Sequence, residues 1–347
     1  MKYDNRISTT PVWTGNTVYN ETVWPLDLSG EGDIEIPLLY RADEIISVTD
    51  TRLERVFEAG GDYELKDGKI VVKRGGEMSF TRKSDFFLDH IQEESPFKIG
   101  CSEGGWLFFA EGDQITKKQY AVTYTHSDKW EGFVPKKTAK LPKIREKITN
   151  KTPFGFAFFG DSITYGCNSS GMPEINVPPY APIWPKMTVE ALQDRGIDVS
   201  YINRAVGGMD SRWGAEKCGE LFERDKFDLF LIAFGMNDGE NSHFYDNNVR
   251  MIEAALKINP DCEFLLVTTM LPHKLAAGFF REQIYQQAIL EKICEEYGEK
   301  AELVPMTDMH KALLQKKRYF DMTGNNVNHP NDFLASVYAQ TILAVLP

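Results

Sequence analysis

The feature that most constrains this chain is an alternation of patterns in its second half. Short apolar runs at 154–159, 199–202, 229–234, 264–268 and 303–305 are separated by stretches such as 247–258 and 281–297, where apolar residues recur at three- and four-residue steps. Unbroken apolar runs suit strands covered on both faces, and the three-and-four spacing suits helices with one buried side. Residues 153–347 are therefore predicted to form a doubly wound, three-layer α/β domain with a parallel sheet, closed by a helix at about 332–345. A ligand site in such a domain lies at the carboxyl ends of the strands.

Residues 1–135 follow another grammar. Runs at 17–24, 33–37, 45–48, 63–73 and 119–124 are rich in β-branched or aromatic residues and separated by Gly, Asp and Ser. Asp67-Gly68 sits between two strand-like runs, where a two-residue hairpin turn requires positive φ. A short helix around 86–92 is the one helical signal, so this part is predicted to be a β-sandwich accessory domain, jelly-roll-like in type. Residues 136–152, KKTAKLPKIREKITNKT, are basic, polar and free of aromatics, and read as an exposed linker, with a basic docking patch as the alternative.

Composition excludes several classes of function. With 39 Lys+Arg against 51 Asp+Glu, the net charge is −12, which repels phosphate backbones and argues against a nucleic-acid partner. The amino terminus has no apolar core of a signal peptide, and runs such as 229–234 are too short to cross a bilayer. Five dispersed cysteines without C-x-x-C and six dispersed histidines without H-E-x-x-H support neither a disulfide frame nor a metal site. These features together point to a cytoplasmic protein with reduced thiols and no membrane insertion.

Four short blocks fall at predicted element ends on one side of the sheet. Gly160-Asp161-Ser162 follows the first strand, where a hydroxyl meets backbone N–H groups at a helix start; a Ser after Asp is equally an ordinary helix cap. Asn203-Arg-Ala-Val-Gly207-Gly208 follows the second, and a glycine there lets a backbone N–H approach a reacting centre, or simply makes a tight turn. Gly235-Met-Asn237-Asp238 follows the most hydrophobic strand, and the Asn237 carboxamide donates a hydrogen bond without titrating, unless it only shapes a turn. Asn326-Val-Asn-His329-Pro330-Asn-Asp332 precedes the last helix, with His329 fixed in a short polar loop. Their joint occurrence in order argues for catalysis.

As an ordered set these blocks resemble blocks I, II, III and V of the SGNH (GDSL-type) hydrolase superfamily, over about residues 152–347. The resemblance implies a flavodoxin-like fold and ester hydrolysis by a serine nucleophile without metal or organic cofactor. It also implies roles by position: Ser162 as nucleophile and oxyanion donor, Gly208 N–H and the Asn237 side chain as further oxyanion donors, and His329 as general base. Gly208 is preferred to Gly207 because the superfamily's glycine lies five residues after the block's Asn, here Asn203. The superfamily usually carries Asp three residues before the His, where this chain has Asn326. Three arrangements stay open: Asn326 orients His329, a backbone carbonyl does so, or an acid such as Asp332 or Asp321 steps in. Asp332 has the simpler reading of charging the first turn of the last helix.

The segment 167–185, rich in Pro and aromatics, is expected to wall the site or to pack on the β domain. Tyr180 and Trp184 are candidate sugar platforms, with Asp161 and Asp210 as further substrate-lining candidates. The β domain has two readings, a carbohydrate-binding module or a packing partner that shapes one wall of the cleft. By analogy with two-domain superfamily members, the expected substrate is a short-chain, first of all an acetyl, ester of a carbohydrate, either a small molecule or an oligosaccharide. The alternatives are a longer-chain esterase, thioesterase or lipase, and a non-catalytic binder with a degenerate site.

Overall fold

In the computed structural model, which describes residues 3–347, the five apolar runs become parallel strands. They are β1 (Phe154–Gly160), β2 (Val199–Asn203), β3 (Leu229–Ala233), β4 (Glu263–Val267) and β5 (Ala301–Val304), in the spatial order β2-β1-β3-β4-β5. This is the flavodoxin-like order, in which the chain leaves β1 toward one edge and returns to its other side, opening a crevice at the strands' carboxyl ends. Every residue of β1 is buried. Alternate side chains serve opposite faces: Phe156, Phe158, Leu229 and Leu231 join one core, while Ala157, Phe159, Phe230 and Ile232 join the other.

The last helix, Asp332–Val345, is apolar almost all round, and nearly every residue in it is buried. A helix of that kind has to be covered on every side. The amino-terminal half provides the outer cover: Val12 N–H donates to Gln340 Oε1 at 3.0 Å, and Gln340 Nε2 donates to the Ser8 carbonyl at 2.8 Å. Val18, Val23, Val48, Ile70 and Tyr120 share one continuous core with Leu334, Val337 and Ile342.

That half is strand-rich. Antiparallel strands Thr17–Val23, Tyr120–Thr125 and Glu44–Asp50 form one sheet, and Ile34–Ile36, Lys69–Val72 and Tyr63–Lys66 form a second. The hairpin turn has φ of 52° at Asp67 and 75° at Gly68, the two positive values that a tight two-residue turn demands. The expected helix at 86–92 is instead a single turn, Lys83–Phe86, followed by the strand Phe87–Leu88. Fully buried Phe86 packs edge-on against Trp24, and Phe87 and Leu88 pair with Leu107 and Trp106.

Residues 136–152 are mostly exposed, as expected of a linker, but they are not irregular throughout. They contain the helix Pro142–Asn150, which buries Ile144 and is tied at its start by Glu263, whose carboxylate accepts from Lys143 N–H at 3.0 Å and Ile144 N–H at 2.9 Å. Its sequence looked solvated because one apolar residue per turn suffices to dock so short a helix. Among the described residues no helix is long and apolar enough to cross a membrane.

Candidate active site

The end of β1 is built so that a serine hydroxyl stands at the crevice. Gly160 lacks room for a side chain, since a Cβ there would lie 2.5 Å from the Ala233 carbonyl oxygen on β3. The chain then enters the one-turn helix Ser162–Tyr165, capped by Asp161, whose carboxylate accepts from Ile163 N–H at 2.9 Å. Ser162 opens this helix with its side chain toward His329, and His329 Nε2 lies 2.8 Å from Ser162 Oγ. Ser162, Gly207, Gly208, Asn237 and His329 all line one cavity of about 730 Å³. Asn237 Nδ2 donates to the Met209 carbonyl at 3.0 Å, which fixes its carboxamide and leaves the second N–H for the cavity.

His329 is held by its loop. Buried Asn325 uses one oxygen to accept from the N–H groups of Val327, Asn328 and His329, each at 3.0 Å, and Thr323 Oγ1 donates to the His329 carbonyl at 2.8 Å. The other ring nitrogen, Nδ1, lies 2.7 Å from Asn168 Oδ1. Asn168 Nδ2 is occupied by the carbonyls of Gly112 at 2.9 Å and Gly324 at 3.4 Å, so its amide orientation is set by acceptors on the nitrogen side. An amide oxygen only accepts, hence Nδ1 carries the proton and Nε2 presents its lone pair to the Ser162 hydroxyl.

Glu111 completes the surroundings of the ring. Its Oε2 is 3.4 Å from His329 Nδ1, and its Oε1 accepts from Asn325 Nδ2 at 3.3 Å. Burial alone would raise this carboxyl, but hydrogen bonding to His329, the charge of that imidazole when protonated, and the Asn325 amide outweigh it and hold it below the ordinary glutamate range.

Several sequence-based candidates are located elsewhere. Asn326 makes no hydrogen bond to His329: its Nδ2 donates to the Phe108 carbonyl at 2.9 Å, its Oδ1 has no hydrogen-bond partner among the described residues, and its backbone is left-handed, φ 68°. Asp332 accepts from Ser170 N–H at 2.9 Å inside the protein, and burial pushes its carboxyl up to about 6. Asp321 pairs with Arg318 and accepts from Trp24 N–H at 2.7 Å. None of these three acids and amides orients the imidazole.

The proposed lining residues fare similarly. Trp184 is fully buried, donates from Nε1 to the Ile163 carbonyl at 2.8 Å and stacks on Tyr338, so it supports the short helix that begins at Ser162. Asp161 is buried as a helix cap, and Asp210 caps the helix Ser211–Phe222 in a separate cavity. Tyr180 is exposed but lies outside the cavity that holds Ser162. From the same proline-rich stretch, Met172, Glu174 and Ile175 line the cavity instead.

The amino-terminal half contributes residues to this cavity, in line with its reading as a packing partner that shapes one wall, although sequence reasoning named none of them. Phe97, Ile99, Phe109 and Glu111 of that half line it together with Met172, Ile175 and Phe279, and Phe279 packs on the cluster that holds Ile99 and Phe109. Among the described residues, no Lys or Arg lines it. Cys167 lines it too, but burial first, then the charges of Glu111, Asp161 and Glu174, push its thiol up to about 12, so it stays protonated.

A family model described as the GDSL-like Lipase/Acylhydrolase family matches residues 158–333. No curated protein matches the chain. Among solved structures, a two-domain esterase (CEX) active on acetylated mannans, co-crystallised with mannopentaose, aligns with a TM-score of 0.45 at 20% identity, covering 61% of this chain and 54% of that one. Axe2, an acetylxylan esterase from Geobacillus stearothermophilus, aligns with a TM-score of 0.44 at 17% identity, covering 55% and 92%. TesA aligns with a TM-score of 0.34 at 22% identity, covering 44% and 77%. The chain thus spans about half the length of the first of these structures.

Proposed function

We propose, for a chain that belongs to the GDSL-like lipase/acylhydrolase family, that it is a serine esterase working through an acyl-enzyme on uncharged esters. One observation carries this reading: Ser162 Oγ sits 2.8 Å from the unprotonated nitrogen of a histidine whose other nitrogen is held by an amide oxygen. In the proposed reaction His329 Nε2 takes the hydroxyl proton as Ser162 Oγ attacks the ester carbon. The oxyanion is received by Ser162 N–H, Gly208 N–H and the free N–H of Asn237. His329 then protonates the departing alcohol, and in the second half-reaction it activates the water that releases the acid. Asn168 acts by keeping the ring in the tautomer that the first step requires.

Two features support a carbohydrate acetyl ester as substrate. The cavity, at about 730 Å³, is far larger than an acetyl group and has room for a bulky alcohol part. Phe97, 56% exposed at its rim, offers a flat apolar face to a sugar ring. With Glu111 and Glu174 in the lining and no Lys or Arg there among the described residues, the cavity disfavours anionic esters. A second reading has its own support: the apolar wall of Ile99, Phe109, Met172, Ile175 and Phe279 also suits a longer or aromatic acyl group.

A panel of p-nitrophenyl esters from two to ten carbons, run beside acetylated oligosaccharides, decides between them. Highest kcat/KM on acetyl esters, with release of acetate from the sugars, is the expected result. An optimum at eight carbons or more selects the second reading, and no turnover of any ester overturns both. Loss of a single oxyanion donor typically costs ~10²–10³ in rate. Asn237→Ala is therefore expected to keep its melting temperature and lose kcat by about that factor; unchanged kcat removes Asn237 from the site.

A further inference from the structure

A proton accepted by His329 makes the imidazole a cation, and something must stabilise that charge in a site partly closed to water. Asn168, the nearer partner of Nδ1, is neutral: it orients the ring but contributes only a dipole. Ionisable groups face the ring from several elements. Asp161 lies behind the nucleophile in the short helix's cap, where burial pushes its carboxyl up to about 7. Cys167 stays a thiol, and Glu174 stands in the same cavity with its carboxylate accepting from the Tyr165 hydroxyl. Glu111 is different in position: its oxygen is 3.4 Å from the very nitrogen that holds the proton.

The placement of Glu111 is built, not incidental. Two carbonyls of its own segment, Phe108 and Gly112, accept from the side-chain amides of Asn326 and Asn168, each at 2.9 Å. The carboxylate's other oxygen is held by Asn325, the same residue that grips the His329 loop. A stretch of five residues from the amino-terminal half is thereby keyed to both loops that carry the histidine and its amide partner.

We propose that Glu111 is the positioning carboxylate of this active site: it stabilises protonated His329 from the amino-terminal half, while Asn168 sets the tautomer. The work usually given to one acid is here divided between an amide and a carboxylate on different parts of the chain. The strand-rich half then belongs to the catalytic apparatus, which separates it from a detachable sugar-binding module. This inference rests on the esterase reading for its kinetic consequences but not for its electrostatic one.

The test is Glu111→Gln, which keeps the shape and an acceptor for Asn325 and removes the charge. An opposite charge this close typically stabilises the protonated form by about 1–3 pH units, tenfold per unit. In the variant, kcat on an uncharged ester is expected to fall by about 10–100-fold with little change in KM, and the acid limb of kcat/KM is expected to move about one unit lower in pH. Glu111→Asp should recover part of both. A purely structural role would lower kcat without moving the limb, and that result overturns the proposal, as does an unchanged kcat.

A second readout is independent of turnover. The His329 imidazole signal, identified by its loss in His329→Asn, is followed by NMR through a pH titration in wild type and Glu111→Gln. A midpoint lower by about one unit in the variant is expected, and coincident midpoints refute the role of Glu111 whether or not the protein hydrolyses esters. Absence of turnover with a displaced midpoint would instead count against the esterase reading alone.

Discussion

Lys317→Met is expected to lower the free energy of unfolding by about 3–5 kcal/mol. Lys317 Nζ lies 2.5 Å from Glu21 Oε1, with neither side chain exposed at all. The ammonium also donates to the Thr22 carbonyl at 2.9 Å, and the Glu21 carboxylate accepts from Leu39 N–H at 2.9 Å and the Tyr124 hydroxyl at 2.6 Å. Those partners are arranged around a charge pair, so removing the cation leaves an uncompensated carboxylate deep in the core. Glu21 belongs to a strand of the amino-terminal half and Lys317 to the α/β half, and just beside them Arg318 donates to the Trp24 carbonyl at 2.9 Å. The pair thus sits where the two halves are joined.

A single-domain protein is stable by only about 5–15 kcal/mol, so the loss should move the urea midpoint substantially. The double variant Glu21→Gln/Lys317→Met should recover most of it, because a neutral amide keeps an acceptor without needing a counter-ion. A Lys317→Met midpoint within about 1 kcal/mol of wild type, or no recovery in the double variant, contradicts this account of the junction.

The parallel sheet could be read from the sequence because period and apolarity are local properties: seven consecutive buried residues in β1 leave little else for 154–160 to be. The positions of Ser162 and His329 were readable for the same reason, each lying directly beside an element end. What orients His329 was not. Asn326 stands at the superfamily's usual position, yet its side chain is drawn away by the Phe108 carbonyl, a partner from the other half of the chain.

Asn168 left a faint mark in the sequence. It lies just after Gly166, and both have positive φ, 93° and 66°, a combination that Gly and Asn adopt at low cost where a short helix must turn back sharply. Glu111 left none, since its contact with His329 exists only once the halves have docked. Trp184 was misread for the reason opposite to Asn326. A tryptophan in a proline-rich loop looks available to a ligand, but its indole N–H found the Ile163 carbonyl and its ring found Tyr338. Burial of a large aromatic outweighs whatever a loop's composition suggests.

The central claim is that Ser162 attacks the ester and His329 takes its proton. The most direct measurement is hydrolysis of p-nitrophenyl acetate at pH 7–8 by wild type and Ser162→Ala at equal concentration, with the buffer rate subtracted. Removing the nucleophile of a serine hydrolase costs ~10⁶ in turnover, because the histidine then has no hydroxyl to activate. Ser162 is 5% exposed and its hydroxyl's hydrogen bond is to His329, so the variant should melt close to wild type. The account predicts saturable turnover in wild type and only background in Ser162→Ala. Equal rates in the two folded proteins would contradict it.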